Sequence, residues 1–418
     1  MPRQLRLKRT LSLFDAVSIG LGAIIGAGIF VALGIAAGLA GPGLILSVVI
    51  AGIVASFTAL SFAELGSAIT KEGGAYEYVF EVVSPSLAFL TGWMWLFGQI
   101  VTGAAVSLGL AAYLALFVSL PLKLIAVSAC LLFMLLNLIG VKQSSLVNDA
   151  LVVLKIAALC IFVVVGIFHI QGPNFSPMFP NGLTGVISGA ALIFFAYLGF
   201  GRIATVSEEV KNAEKTIPLS ILLALGISTL LYLLVSSIAM GIVGYGKLSA
   251  SGSPLADAMS ATGNDLATWA VSLGGILATA SVLLTTILGV SRVSFSMARN
   301  RQIPGFINAL HPRFGTPYIS ILVTGLLMAL LAFAWDLKQV FSLASFSVII
   351  THVLVNYSAL RLGKEKRRFR VPFSPVPQLL GIISCVALAF SLLPETWMMA
   401  SVVLVVGVIF YFFEKLRR

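Results

Sequence analysis

Charge is scarce in this 418-residue chain: only 10% of residues are Asp, Glu, Lys or Arg, while 59% are hydrophobic. A soluble domain normally carries about 25% charged residues, so this stock could not furnish a water-facing surface of such length. Cysteine is almost missing. Cys130, Cys160 and Cys385 each fall inside an apolar block, and an odd number of such thiols gives no disulfide framework; they read as packing residues. The three histidines, His169, His311 and His352, have no metal-ligand spacing, and no catalytic triad or phosphate-binding loop stands out. No metal, no cofactor and no enzyme chemistry are expected.

Acidic residues are also in deficit, with 15 Asp and Glu against 26 Lys and Arg. The surplus does not point to nucleic acid, because the basic residues sit in short clusters between apolar blocks. Examples are Arg3, Arg6, Lys8 and Arg9, and Lys364, Lys366, Arg367, Arg368 and Arg370. Such clusters fix topology and meet anionic lipid headgroups.

What the chain has in abundance is long apolar runs. They fall at 13–39, 43–68, 86–117, 122–140, 146–170, 184–206, 217–242, 266–298, 318–335, 338–361, 376–393 and 396–413, each of membrane-spanning length. The first is too long for a cleaved signal segment and reads as a retained helix. Twelve spans put both termini on one side. With that side cytoplasmic, 20 Lys and Arg lie inside; Lys123, Lys247 and Lys338 lie outside, and Lys155, Arg202 and Arg292 fall within spans or at their ends. The positive-inside rule therefore places both termini in the cytoplasm of a multi-pass cell-membrane protein.

Two spans are rich in glycine. The first reads Ile19-Gly-Leu-Gly-Ala-Ile-Ile-Gly-Ala-Gly-Ile-Phe30, and the sixth contains Phe194-Phe-Ala-Tyr-Leu-Gly-Phe-Gly201. Glycine at mid-membrane lowers the cost of unwinding a helix, and it also serves close helix packing. The two spans are equivalent positions of two five-helix units, the second inverted because five is odd. Matched interrupted helices in inverted halves mark a transporter's binding site. Lys155 lies about two turns into the fifth apolar run. A charge at mid-membrane costs roughly 2.5–3.5 kcal/mol on insertion scales, which makes it a functional candidate; snorkelling to the interface is the alternative.

At these residues the chain resembles the amino acid–polyamine–organocation superfamily, closest to its proton-coupled, ApcT-like amino acid permeases. Four ordered stretches carry the likeness. They are Gly22-Ala-Ile-Ile-Gly-Ala-Gly-Ile-Phe30; Phe62-Ala-Glu-Leu-Gly66 with Gly73-Gly-Ala-Tyr-Glu-Tyr-Val-Phe80; Phe194–Phe200 with Ser207-Glu-Glu-Val-Lys-Asn212 and Thr216-Ile-Pro218; and Ser296-Met-Ala-Arg-Asn300 with Pro304 and His311-Pro312. The resemblance implies an all-α, LeuT-type fold. A cytoplasmic segment (1–12) leads into a first five-helix repeat (13–170) and an inverted second (184–361). Two additional helices (376–413) and a cytoplasmic end (414–418) follow. It further implies import of amino acids by alternating access, with the proton and not sodium as coupling ion.

By the same resemblance the amides of Gly26, Ala27 and Gly28 hold the substrate carboxylate, as a helix N-terminus can. The carbonyls of Ile24, Phe195, Ala196 and Leu198 meet its ammonium, and Phe195 is a candidate lid. Lys155 takes the place that sodium occupies in sodium-coupled relatives, facing the backbone near Gly22 and the hydroxyl of Ser281. Burial disfavours the charged form of lysines in general, which makes reversible protonation available near neutral pH. Glu208 and Glu209, with Arg202, are candidate gate residues, pairing with Arg292 or Arg299; local ion pairs are the plainer reading. Ala104, Ala105 and Ala196 suggest room for a modest substrate side chain, and 71–80 suggests an amphipathic interfacial helix. An exchanger or facilitator of the same fold is the nearest alternative. A channel would want a continuous polar lining, an embedded enzyme a His/Asp/Glu cluster, and a receptor a large extramembrane domain; none is present in the sequence. Partners are then a small-molecule substrate and membrane lipid, not nucleic acid. Oligomeric state is not legible.

Overall fold

The computed structural model describes residues 11–69, 73–140, 145–205 and 210–416. Glu208 and Glu209 lie outside the described residues. Among those described, every regular element is helical. In order these are α1 (Leu13–Ile24), a π turn over Gly28–Ala32, α2 (Leu33–Ala40), α3 (Leu44–Ala68), α4 (Ala75–Val82), α5 (Pro85–Leu114), α6 (Leu122–Ile139), α7 (Ser145–Gly166) and α8 (Gly182–Phe194). A 3-10 segment over Phe195–Phe200 leads to α9 (Gly201–Thr205), α10 (Ala213–Ala250), α11 (Pro254–Ser260), α12 (Asp265–Arg299), α13 (Tyr318–Ala334), α14 (Leu337–Arg361), α15 (Val376–Phe390) and α16 (Pro394–Leu416).

Nine helical runs among the described residues are long and apolar enough to cross a membrane, and α13 and α15 are shorter apolar helices. The first run, Leu13–Ala68, has 56 residues, more than the roughly 20 that one crossing takes. Helices suit this setting because each satisfies its own backbone polar groups. Their outer faces carry Val164, Leu230, Leu330, Ile383 and Ile409, each at least 59% exposed, as a lipid-facing belt requires. This is a multi-pass membrane protein.

Helix starts follow local chemistry. Ser12 and Asp15 form a reciprocal capping box at α1, as Asp336 and Gln339 do at α14. Ser84 caps α5 with Pro85 in its first turn. In the centre, α10 packs on α3, α1 and α2; α12 packs on α5 and α7; and α14 packs on α5, α15 and α3.

Three details depart from the sequence reading. Residues 75–82 do form a short helix, but it is not a surface one: Tyr76, Tyr78 and Val79 are buried and α4 packs on α5 and α14. The run expected at 217–242 continues to Ala250 through a kink at Gly244 (φ 71), where the left-handed backbone suits glycine. Cys130 and Cys385 are buried as expected, whereas Cys160 is exposed on the outer face of α7.

We call the end of the bundle where α1 starts the N-terminal face. There the segment after α14 closes over the end of α3. Glu64, fully buried, meets Arg367 at 3.4 Å and accepts a hydrogen bond from Gln378 Nε2 at 2.9 Å. Arg367 also donates to Ser374 Oγ and to the carbonyl of Leu362, and the amide of Phe369 donates to Ser67 Oγ. Removing one partner of a buried pair leaves an uncompensated charge, at a cost of about 3 kcal/mol. Arg367→Met should therefore lower the melting temperature of the detergent-purified protein, and adding Glu64→Gln should restore most of the loss. Equal melting of the single and double variants would show that the pair does not hold this end.

Candidate functional site

The two glycine-rich runs meet at the centre of the bundle, and they depart from the α-helix in different ways. α1 stops at Ile24; Ile25 is extended (φ −76, ψ 95), and the chain resumes helical form at the π turn beginning with Gly28. The second run does not melt. It tightens into 3-10 turns over Phe195–Phe200, with Phe195 and Gly201 keeping right-handed helical angles. The expected unwinding thus holds for the first run and is corrected for the second. The tighter winding keeps its N–H and C=O groups paired at i,i+3 while shifting the register of its faces.

Where the runs cross, main chain lies against main chain. A Cβ at Gly199 would stand 2.1 Å from the amide nitrogen of Ile24, and one at Gly28 would stand 2.4 Å from Cα of Ala196. Only glycine fits at either position. The crossing is locked from α10 by Tyr232, which is fully buried. Its hydroxyl donates toward the carbonyls of Ile24 (2.7 Å) and Ala196 (3.1 Å). These are two of the four carbonyls assigned above to a substrate ammonium. Each keeps a second lone pair, so the hydroxyl constrains them without fully occupying them.

Lys155 is 1% exposed and donates from Nζ to the carbonyl of Gly22 at 3.0 Å. It does not snorkel. One and a half turns earlier on α7, Asp149 accepts a hydrogen bond from Ser18 Oγ, so α7 grips α1 at two levels. Ser281 does not join this contact: its hydroxyl donates back to the carbonyl of Ala278 at 3.0 Å, the usual sink for a serine inside a helix.

A cavity of about 80 Å³ lies at the crossing. Ile24, Gly26, Ala27, Gly28, Phe195 and Ala196 line it; Gly22, Lys155 and Ser281 do not. The amides at the start of the Gly28 turn belong to a helix N-terminus, whose first N–H groups lack intrahelical partners. Phe195 stands at the cavity with its ring edge-to-face on Phe341, centroids 5.1 Å apart, and is not lipid-facing. Arg202 lines the cavity and donates to Thr286 Oγ1 at 3.1 Å. On α5 the lining residues are Trp95, Gln99, Thr102 and Val106; Ala104 and Ala105 are buried but do not line it. At 100° per residue, Ala104 stands two positions from both Thr102 and Val106 and so turns to the opposite face; the expectation is corrected for both alanines, Ala105 being buried beside the lining.

Sequence reasoning missed Tyr232, Gln99, Thr102, Thr351 and His352. Tyr232 sits in an apolar run, where nothing distinguishes it from a packing aromatic. His352 also lines the cavity. Its Nδ1 contacts the carbonyl of Val348 at 2.7 Å, its Nε2 has no partner among the described residues, and the rings of Phe62, Phe194 and Phe200 surround it. No group of His, Cys, Asp and Glu suited to a metal occurs among the described residues.

Paired interrupted runs around a central cavity, inside a bundle of apolar helices, define a membrane transporter. The sequence profile described as Amino acid permease matches residues 11–413. The chain is 34% identical to the methylthioribose transporter of Bacillus subtilis and 32% identical to the branched-chain amino acid permease BcaP of the same organism. Each alignment covers 97% of this chain and 93% of the relative. It is also 33% identical to the vacuolar cationic amino acid transporter 4 of Arabidopsis thaliana, over 85% of this chain and 64% of that protein. The chain belongs to the amino acid permease family, within the amino acid–polyamine–organocation superfamily; it is a transporter and not an enzyme.

Two variants test the crossing. Gly199→Ala should abolish transport in proteoliposomes while leaving a monodisperse protein, since no shift smaller than a main-chain displacement makes room. Transport at the wild-type rate would disprove that contact. Tyr232→Phe, which removes one hydroxyl and no volume to speak of, should raise the substrate KM about fivefold, a loss of about 1 kcal/mol. An unchanged KM would mean the hydroxyl does not set the cradle.

Proposed function

We propose that the protein imports amino acids by proton symport, alternating access to the cavity between the α1–α2 and α8–α9 runs. The reading takes the chain as twelve spans in a LeuT-type arrangement: a first repeat over 13–170, an inverted second over 184–361 and two further helices over 376–413. Segments 1–12 and 414–418 are then cytoplasmic. One observation carries it: the helix restarting at Gly28 lines one cavity together with Ile24 and Ala196, a few residues from the Lys155–Gly22 contact. Amides of Gly26, Ala27 and Gly28 would take the carboxylate, and carbonyls of Ile24, Phe195, Ala196 and Leu198 the ammonium. Phe195 would act as lid, with Arg202, Glu208 and Glu209 at the cytoplasmic gate. The names of BcaP and the Arabidopsis transporter support an amino acid as cargo.

Lys155 is the coupling residue in this reading. Among the described residues its single hydrogen bond goes to the main chain of α1 one turn below the break, so gain or loss of its proton changes the hold on the inner half of that run. Sodium is not required, because the ammonium already serves the α1 carbonyl. The methylthioribose relative supports a second reading, a neutral polyhydroxylated cargo, which the hydroxyls of Thr102 and Thr351 at the cavity could meet.

The test is uptake into proteoliposomes, competed by each of the twenty amino acids and by methylthioribose, with and without a pH gradient. An interior more alkaline than the bath should accelerate uptake by wild type, and Lys155→Ala should keep substrate binding but lose that acceleration. Gradient-dependent uptake by Lys155→Ala would refute proton coupling through this residue. Counterflow without any gradient response in wild type would assign an exchanger.

A further inference from the structure

Below the central cavity lies a second chamber of about 210 Å³, toward the N-terminal face. Gly73, Trp95 and Arg202 line both, so the two are contiguous. One wall of the chamber is α12, whose lining positions 285, 288, 289, 292, 293, 295, 296 and 299 recur at helical spacing along one face. Two of them are cations. Arg292 and Arg299 are exposed at the chamber, two turns or about 10 Å apart, and neither has an ion pair or hydrogen bond among the described residues. Ser296, between them and 7% exposed, lines the same chamber with an Oγ that lacks a partner among the described residues.

No Asp or Glu is among the described lining residues. Glu77 lies against Gly73 but is buried and has contacts of its own. A chamber with free guanidinium groups, an unpaired hydroxyl and no described carboxylate in its wall suits an oxyanion. Guanidinium offers a planar fork of donors that matches a carboxylate or phosphate edge, and its attraction strengthens in a cleft with low-dielectric walls.

We infer that the chamber is a second binding subsite, on Arg292, Arg299 and Ser296, for the carboxylate of an amino acid passing between the central cavity and the N-terminal face. The cargo rests on the function proposed above; the oxyanion site does not. A lipid phosphate would satisfy the same donors, so lipid composition is one arm of the test.

In phosphatidylcholine proteoliposomes of sorted orientation, Arg292→Gln/Arg299→Gln should raise the KM measured from the N-terminal face about fivefold. The KM from the opposite face should stay at the wild-type value, and the salt dependence of the wild-type KM should vanish in the variant. Identical KM values and salt dependence in wild type and variant overturn the inference. So does an effect seen only with phosphatidylglycerol in the vesicles, which gives the site to lipid. A second measurement needs no transport: phenylglyoxal labelling of Arg292 and Arg299 in the purified wild-type protein, read by mass spectrometry. Acetate or inorganic phosphate should slow labelling of both, and no protection by either overturns the site. Protection in a protein that carries no amino acid would keep the oxyanion site and reject the cargo.

Discussion

Where the first broken run crosses the second, two main chains touch with no side chain between them, and the surrounding bundle is arranged to keep them there. The contact exists because Gly28 and Gly199 present no Cβ at the two points of closest approach. It brings the free end of one helix and the tightened turn of another to a single cavity. Tyr232 holds the two carbonyls at the crossing from a third element, α10, which itself packs along α3, α1 and α2. In an apolar medium an unpaired peptide group is costly, so a break survives only where neighbours supply what the helix has given up. Here a tyrosine hydroxyl does so on one side, and the ammonium of Lys155 does so one turn below the break.

The two halves of the site solve the same problem by different means. The α1–α2 run gives up its helix at Ile25 and restarts, leaving amides at the new start. The α8–α9 run keeps winding and changes pitch, so its peptide groups stay largely paired while Phe195 and Ala196 turn to the cavity. Polarity at the centre is therefore mostly backbone polarity, concentrated on the α1 side. Polar side chains at the cavity enter from α5 and α14 (Gln99, Thr102, Thr351 and His352), where the helices are intact, and from α9 (Arg202).

Much of the fold was legible because the bilayer forces a simple rule: apolar runs of spanning length become helices, and the ranges read from hydropathy differ from the observed ones mainly at their ends. The first break was legible from clustered glycine, and Lys155 from its depth in an apolar run. Composition could not reveal register. Ala104 and Ala105 were assigned to the cavity on size, yet Thr102 and Val106 face it, because helical phase is fixed only by packing against α12 and α14. The segment after Gly74 looked amphipathic and so interfacial, but its tyrosines found a buried seat. Tyr232 was invisible for a different reason: its two partners, the carbonyls of Ile24 and Ala196, come together only where the runs cross.

Three charged residues inside the bundle follow one pattern that bears on how such a protein moves. Lys155 links α7 to α1, Arg202 links α9 to α12, and Glu64 links α3 to the segment after α14 and to α15. Each of these contacts joins elements far apart in sequence. Between apolar helices in lipid the hydrophobic effect discriminates poorly, because a tail and a leucine are equally apolar; polar contacts and close packing supply direction. A bundle so built has broad, greasy faces that can slide and a few polar joints that fix where they stop. The joint at Lys155 differs from the other two in having, among the described residues, a single partner, the main chain at Gly22. Glu64 has an arginine and a glutamine, and Arg202 has a threonine together with further contacts. Of the three joints it is the one that a change at one side chain undoes, leaving the Ser18–Asp149 contact as the other described side-chain hold of α7 on α1.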